Sequence, residues 1–261
     1  MKWKITKSRL RLIKRKNSNL KNIITTLLLT ASTFLFAQEK LVVDYIFNYK
    51  YDLSKSTDAK TLAIYKASNK NTGEYQLITT KEESIFKSIE KINNSQNVFD
   101  VEPYGVPSAD SYINIKDNYT LDPVNFKGKN FIVKDTVNKY NWLIERDRDI
   151  LLGYDVKKAI AKRFNITYEA WFAPSLPYKS GPGNIFGLPG LILKLTIILD
   201  QDDGRHQHIY TATNVQVNNR VSINKPNKGE LMMVDDFIIY FNEILRIESE
   251  IENNKVETKI D

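Results

Sequence analysis

The sequence predicts a mainly β, β-rich α+β protein: a curved antiparallel sheet or half-barrel with an amphipathic C-terminal helix packed against it. Three observations carry this prediction. Short runs dense in β-branched and aromatic residues recur between clusters of Asn, Asp, Gly and Lys. The apolar run Leu191–Leu199 (LILKLTIIL) is followed by Asp202-Asp203-Gly204-Arg205, a hairpin signal. Near the end of the chain, apolar residues from Val234 to Ile247 fall near helical spacing.

The first 22 residues hold nine basic side chains and no acid, and a 14-residue apolar run follows from Ile23 to Phe36, ending at Ala37. A basic start, a short apolar stretch and a small residue at the cut are the parts of a signal peptide. Spanning a membrane takes about 20 apolar residues. Residues 1–37 are therefore expected to be a signal peptide cleaved near Ala37, and 38–261 a single exported domain without a transmembrane segment. Lipidation at the cut needs a cysteine, and the chain has none.

Export changes the charge argument. The whole chain carries 38 basic and 31 acidic residues, a net of +7. Without the nine leader bases, 29 remain against 31 acids, a net of −2. A basic balance would point to nucleic acid as a partner; here it belongs to the leader, and no nucleic-acid partner is implied. The lack of cysteine excludes disulfides, thiolate metal sites and cysteine nucleophiles.

Along the mature chain, Leu41–Tyr51 is the first expected strand. Thr61–Tyr65, Tyr75–Thr80, Ser111–Ile115 and Asn130–Val133 are shorter ones. Thr80–Asn93 is expected to be helical, with Ile85, Ile89 and Ile92 on one face and Thr80 as its cap. Asp155–Phe164 has a helix-forming composition but is read as a strand that turns at Phe164-Asn165. It would pair with Ile166–Phe172, which alternates cleanly. The return strand after the Asp-Gly signal runs from His206 to about Val217. From Glu230 to about Asn253 an amphipathic helix is expected, with Asp235 and Asp236 near its start, where the helix dipole favours acids.

The stretch Trp171–Leu195 holds four of the chain's ten glycines and four of its eight prolines. A long Gly/Pro loop therefore separates two strands. Gly187-Leu188-Pro189-Gly190-Leu191-Ile192, preceded by Trp171, Pro174 and Pro177, closely resembles the signature of the GLPGLI proteins of Bacteroidetes. Gly153-Tyr154 and Lys157-Lys158-Ala159 agree as well. Members often carry a cysteine where this chain has Val156. The resemblance implies an exported protein of the periplasm or outer membrane and no particular chemistry, so these residues stand as a structural or contact loop. At the level of fold alone, a strand ending in Trp, a Pro-containing loop and a further strand are similar to the half-barrel of periplasmic lipoprotein carriers.

No catalytic constellation stands out. The glycines at 181–190 lack the Gly-Lys-Ser/Thr of a phosphate loop, and no Gly-x-Ser-x-Gly, Ser-x-x-Lys or His-Glu-x-x-His occurs. No cofactor is implied. The two histidines, His206 and His208, share one face of a strand, the geometry a metal uses. If Asp203-Gly204 forms the turn, Gln201 faces His206 and Leu199 faces His208; a slip would bring in Asp200, Asp202 and Asp203. An exposed strand end is the simpler expectation for the pair. Glu145, Asp147 and Asp149 alternate with Arg146 and Arg148, the pattern of a solvated surface. Two functions follow: a non-enzymatic envelope module for an apolar ligand or an outer-membrane protein partner, or an envelope hydrolase using carboxylates or the histidine pair.

Overall fold

The structure is a computed structural model that describes residues 39–55, 58–89, 110–137, 139–202 and 204–257. The expected signal peptide and the last residues of the expected Thr80–Asn93 helix lie outside the described residues, as does Asp203. Twelve strands form one sheet that does not close into a barrel, and every named element falls in the unit Lys40–Asp261.

Two meanders meet at the first strand. β1 (Leu41–Lys50), β2 (Thr72–Thr79), β3 (Glu83–Ser88), β4 (Ser111–Asn114), β5 (Tyr119–Phe126) and β6 (Lys129–Thr136) pair in succession. So do β7 (Leu143–Leu151), β8 (Tyr154–Arg163), β9 (Ile166–Ala173), β10 (Leu191–Gln201) and β11 (Gly204–Val217). β1 pairs antiparallel with β11 and joins the two halves. At the far end β12 (Glu230–Met233) runs parallel to β6.

Both faces of the sheet carry core. Leu41, Val43, Tyr45 and Phe47 of β1 enter the larger cluster with most of β8 to β11. Val42 joins Ile78, Ile85, Tyr112, Leu121 and Ile132 on the opposite face. That division follows from the two-residue period of a strand. β10 is buried on both faces, which is why it reads as a continuous apolar run. Register steps at Asp44/Tyr45 in β1 and at Ile192/Lys194 in β10 bend the sheet. The Tyr45 hydroxyl donates to the Ile192 carbonyl at 2.6 Å within the core.

Several elements form as the sequence predicts. β8 turns at Phe164-Asn165 into β9, with Arg163 paired to Ile166. On β9, Ile166, Tyr168, Ala170 and Phe172 are buried while the residues between them are half-buried.

Four expectations fail for physical reasons. Thr61–Tyr65 is not a strand: it lies in α1 (Ala59–Ser68), whose N-cap Asp58 accepts from the Thr61 amide at 2.7 Å. The capping signal outweighs the β-branched composition. Thr80–Asn93 does not begin a helix. The Thr80 hydroxyl instead closes a tight turn by accepting from the Glu82 and Glu83 amides, and β3 follows. Ile85 and the adjacent Phe86 are buried on opposite faces, as in a strand covered on both sides, and Ile89, expected to share a helix face with Ile85, is exposed.

In the hairpin of β10 and β11, Gln201 faces Gly204, Leu199 faces His206 and Ile197 faces His208, a register two residues off the one expected from an Asp203-Gly204 turn. Gly204 opens β11 in close approach to Asp52, whose Cβ lies 2.9 Å from where a Gly204 Cβ would stand. Glu230–Met233, expected to be helical, forms β12, and the helix α2 is Val234–Glu257. It rests on β5 and β6 through Phe241 against Phe126 and through Phe237 and Tyr240 against Phe131, at ring distances of 4.7, 5.3 and 5.4 Å.

Candidate functional site

The loop between β9 and β10 folds back on itself as a small antiparallel hairpin. Ser180 bridges Phe186, and the Gly187 amide donates to the Lys179 carbonyl at 2.9 Å. Its return leg is held by the Leu191 amide on the Leu176 carbonyl and the Ile192 amide on the Ser180 carbonyl. A buried bond of 2.8 Å between Thr79 Oγ1 and Ser180 Oγ ties the loop to β2.

This geometry divides the motif. Leu188, Gly190, Leu191 and Ile192 are buried, while Gly187 and Pro189 face outward. Gly190 is required by close approach, since a Cβ there would collide with the Ala173 carbonyl and lie 2.9 Å from Pro174 Cα. Gly187 is required by conformation, at φ +101°. Pro174 and Pro177 are exposed, and Trp171 is half-buried on β9.

Against the outward turn lies the segment that connects β6 to β7. Trp142 Nε1 donates to the Phe186 carbonyl at 3.0 Å and so fixes the two walls to one another. Between them is an open cleft of about 620 Å³, lined by Tyr140, Asn141, Trp142, Leu143, Ile144, Gly187, Leu188 and Pro189. Tyr140 packs on Trp142 at 5.6 Å and on Tyr168 at 5.2 Å. Burial pushes its hydroxyl well above the ordinary tyrosine range, so it stays a neutral polar group. Leu143 is 68% exposed and Ile144 46%. The lining offers aromatic and aliphatic side chains together with nearly as much polar surface, Asn141 included, and no carboxylate, imidazole or amine. Such a site binds by contact and desolvation.

The sequence reading found the Gly187–Ile192 wall and missed the Tyr140–Ile144 wall. The available signal was two aromatics at 140 and 142 followed by two aliphatics, immediately before a run of alternating charge.

His206 and His208 are not at an exposed strand end; each is only 2% exposed. They face the larger core from β11 and are packed among tyrosines. Tyr51 and Tyr65, stacked on each other at 4.5 Å, both meet His206 at 5.0 Å. Tyr49 meets the ring of His208 at 5.2 Å. His206 Nδ1 accepts from the Asp52 amide at 3.3 Å. Burial, reinforced by the neighbouring His206, lowers the His208 pKa from an ordinary 6.5 to about 4. Asp200 lies away from the pair, 3.6 Å from Arg205, with both side chains exposed. No group of three metal-binding side chains occurs among the described residues. Asp147 and Asp149 are exposed on β7, and Glu145 stands 3.7 Å from Lys158, which bonds Glu169 at 3.0 Å.

Comparisons with known proteins bear on the fold more than on the chemistry. A solved structure of PNGF-II in space group P21 superposes with a TM-score of 0.51 at 19% identity, covering 76% of this chain and 32% of that chain. The C2 form gives 0.49 at 19% identity, with 75% and 31% covered. The chain thus spans about a third of the PNGF-II length, and the likeness concerns the fold alone. A putative outer membrane lipoprotein-sorting protein domain from Vibrio parahaemolyticus gives 0.23 at 8% identity over 72% of this chain and 88% of that one, too distant to bear on the fold. No curated protein matches. No helix among the described residues is long and apolar enough to cross a membrane. A family model described as a protein of unknown function (Porph_ging) matches residues 113–194, a segment that contains both walls of the cleft, Tyr140–Ile144 and Gly187–Pro189.

Proposed function

We propose that this chain is an exported, non-enzymatic binding module of the cell envelope, which takes an apolar ligand or a segment of an outer-membrane protein into the cleft beside Gly187–Pro189. The observation that carries this reading is the cleft's lining, which sets the side chains of Tyr140, Trp142, Leu143 and Ile144 beside nearly as much polar surface and holds no carboxylate, imidazole, amine or thiol. The basic and apolar leader and the motif at Gly187–Ile192 support the envelope location. The alternative, an envelope hydrolase, lacks comparable support: His206 and His208 pack among tyrosines, and Asp147 and Asp149 lie exposed on an edge strand.

Trp142 provides the test. Replacing Trp171 by Phe leaves Trp142 as the only tryptophan of residues 38–261. Titration with a brominated alkyl-chain probe, or with peptides bearing a single aromatic residue, is expected to change Trp142 fluorescence saturably. Ile144→Asp should abolish that response. An unsaturable response, or one unaffected by Ile144→Asp, would remove the cleft from consideration.

A further inference from the structure

The sheet has two ends, and they are finished differently. β12 is four residues long and runs directly into α2, whose Phe237 and Tyr240 pack on Phe131 of the adjoining β6. β7 is nine residues long, and among the described residues its one strand neighbour is β8. It has no buried side chain. Its outer backbone groups form an edge of the kind that templates strand addition.

That edge is shielded unevenly. A register step between Ile144 and Arg148 disrupts the ladder. The Arg148 guanidinium donates through Nη1 to the carbonyls of Glu145, Arg146 and Asp147 at 3.2, 3.2 and 3.0 Å. Trp142–Ile144 carry no charge, and they form one wall of the cleft.

The charges also select among occupants. In a two-fold antiparallel pairing each face of a strand meets the same face of its copy. Acids at 145, 147 and 149 alternate with arginines at 146 and 148. A second copy would therefore set like charges against like, which destabilises a strand pair. A lipid chain would fill the cleft but leave the neighbouring edge unused. An extended polypeptide with a bulky apolar residue and flanking bases uses both.

Building on the binding-module reading, we infer that the cleft and β7 together form a strand-addition site for an extended segment of another protein. The segment runs antiparallel to β7 and pairs by backbone at Leu143 and Ile144, ahead of the carbonyls that Arg148 occupies. It places an apolar side chain against Trp142, Leu143 and Pro189 and lysines or arginines opposite Asp147 and Asp149. Backbone hydrogen bonds supply affinity and the cleft supplies selection, the division found wherever a peptide extends a sheet.

The test uses residues 38–261 and the synthetic peptide Lys-Val-Lys-Ser-Val-Phe-Val with an amidated end, together with variants N-methylated at each position in turn. Binding is read by fluorescence anisotropy. Within the Val-Phe-Val end, which lies beside Leu143 and Ile144, methylation at alternate positions is expected to weaken binding about tenfold or more, because every second amide of an added strand faces its neighbour. Leu143→Asp and the pair Asp147→Lys, Asp149→Lys should each weaken it comparably; these side chains are exposed, and circular dichroism would confirm the fold. Binding that ignores methylation at every position would overturn strand addition. So would a brominated fatty acid that quenches Trp142 where the peptide does not bind, an outcome that leaves the binding-module reading standing. If neither probe binds, both fall.

Discussion

Trp142 Nε1 donates to the carbonyl of Phe186 across 3.0 Å, and this one bond joins a connection that begins after β6 to a loop that follows β9. The two walls of the cleft, more than 40 residues apart in sequence, are held by it. Trp142→Phe keeps most of the ring contact and leaves the Phe186 carbonyl without this donor. It is expected to lower unfolding free energy by about 1 kcal/mol, read by urea denaturation, and to weaken probe binding more than that loss accounts for. Unchanged binding would mean that the bond does not shape the cleft.

The motif's two glycines, Gly187 facing outward and Gly190 buried, should respond differently to the same substitution. Gly190→Ala forces a side chain into the Ala173 carbonyl and Pro174, and rigid backbone cannot yield cheaply; a loss of about 2 kcal/mol or more is expected. Gly187→Ala meets only Trp142 Nε1, at 3.9 Å, and bears the conformational cost of a positive φ, about 1–2 kcal/mol. Thermal melts of the two variants compare them directly. A larger loss at Gly187 would contradict the division of the motif into a buried and an outward part.

Tyr45 lies across the core from the motif, its hydroxyl on the Ile192 carbonyl at 2.6 Å in full burial. Tyr45→Phe should cost about 1–3 kcal/mol, since the carbonyl is left buried without that donor. Chemical denaturation measures this. A neutral result would show that the end of the motif is fixed by packing alone.

Stability should fall in mild acid because of His208. Its pKa is lowered from 6.5 to about 4 by burial, so between these values the unfolded chain binds the proton and the folded chain does not. Stability therefore rises with pH across that window. The contribution amounts to about 3 kcal/mol between its lower and upper ends. His208→Phe should flatten the dependence of unfolding free energy between pH 4 and 6.5. An unaltered slope would assign the acid sensitivity to other groups.

Much of the sheet was legible from the sequence. β10 and β9 declared themselves through continuous apolar and alternating patterns, because burial on two faces or one leaves those signatures. The errors came where local chemistry competes with composition. Asp58 caps α1 although Thr61–Tyr65 is β-branched and aromatic. Thr80 closes a turn although it stands where a helix cap was expected. The Asp203-Gly204 signal marked a true hairpin, but Gly204 lies in close approach to Asp52 and the register is two residues off the expected one.

The candidate site was half legible. Gly187–Ile192 stood out by composition, whereas Tyr140–Ile144 meets it only through the path of the chain between β6 and β7, which no local pattern encodes. His206 and His208 looked like a surface pair because their burial depends on Tyr51 and Tyr65, the latter delivered by a helix whose own residues are all outside the core.

The most direct measurement is native mass spectrometry of residues 38–261 purified gently from the native periplasm, beside the Ile144→Asp variant. The account predicts a retained adduct on the wild-type chain, of lipid or polypeptide mass, and its absence from the variant. A bare chain in both, or an adduct equally retained by the variant, would contradict binding at the cleft.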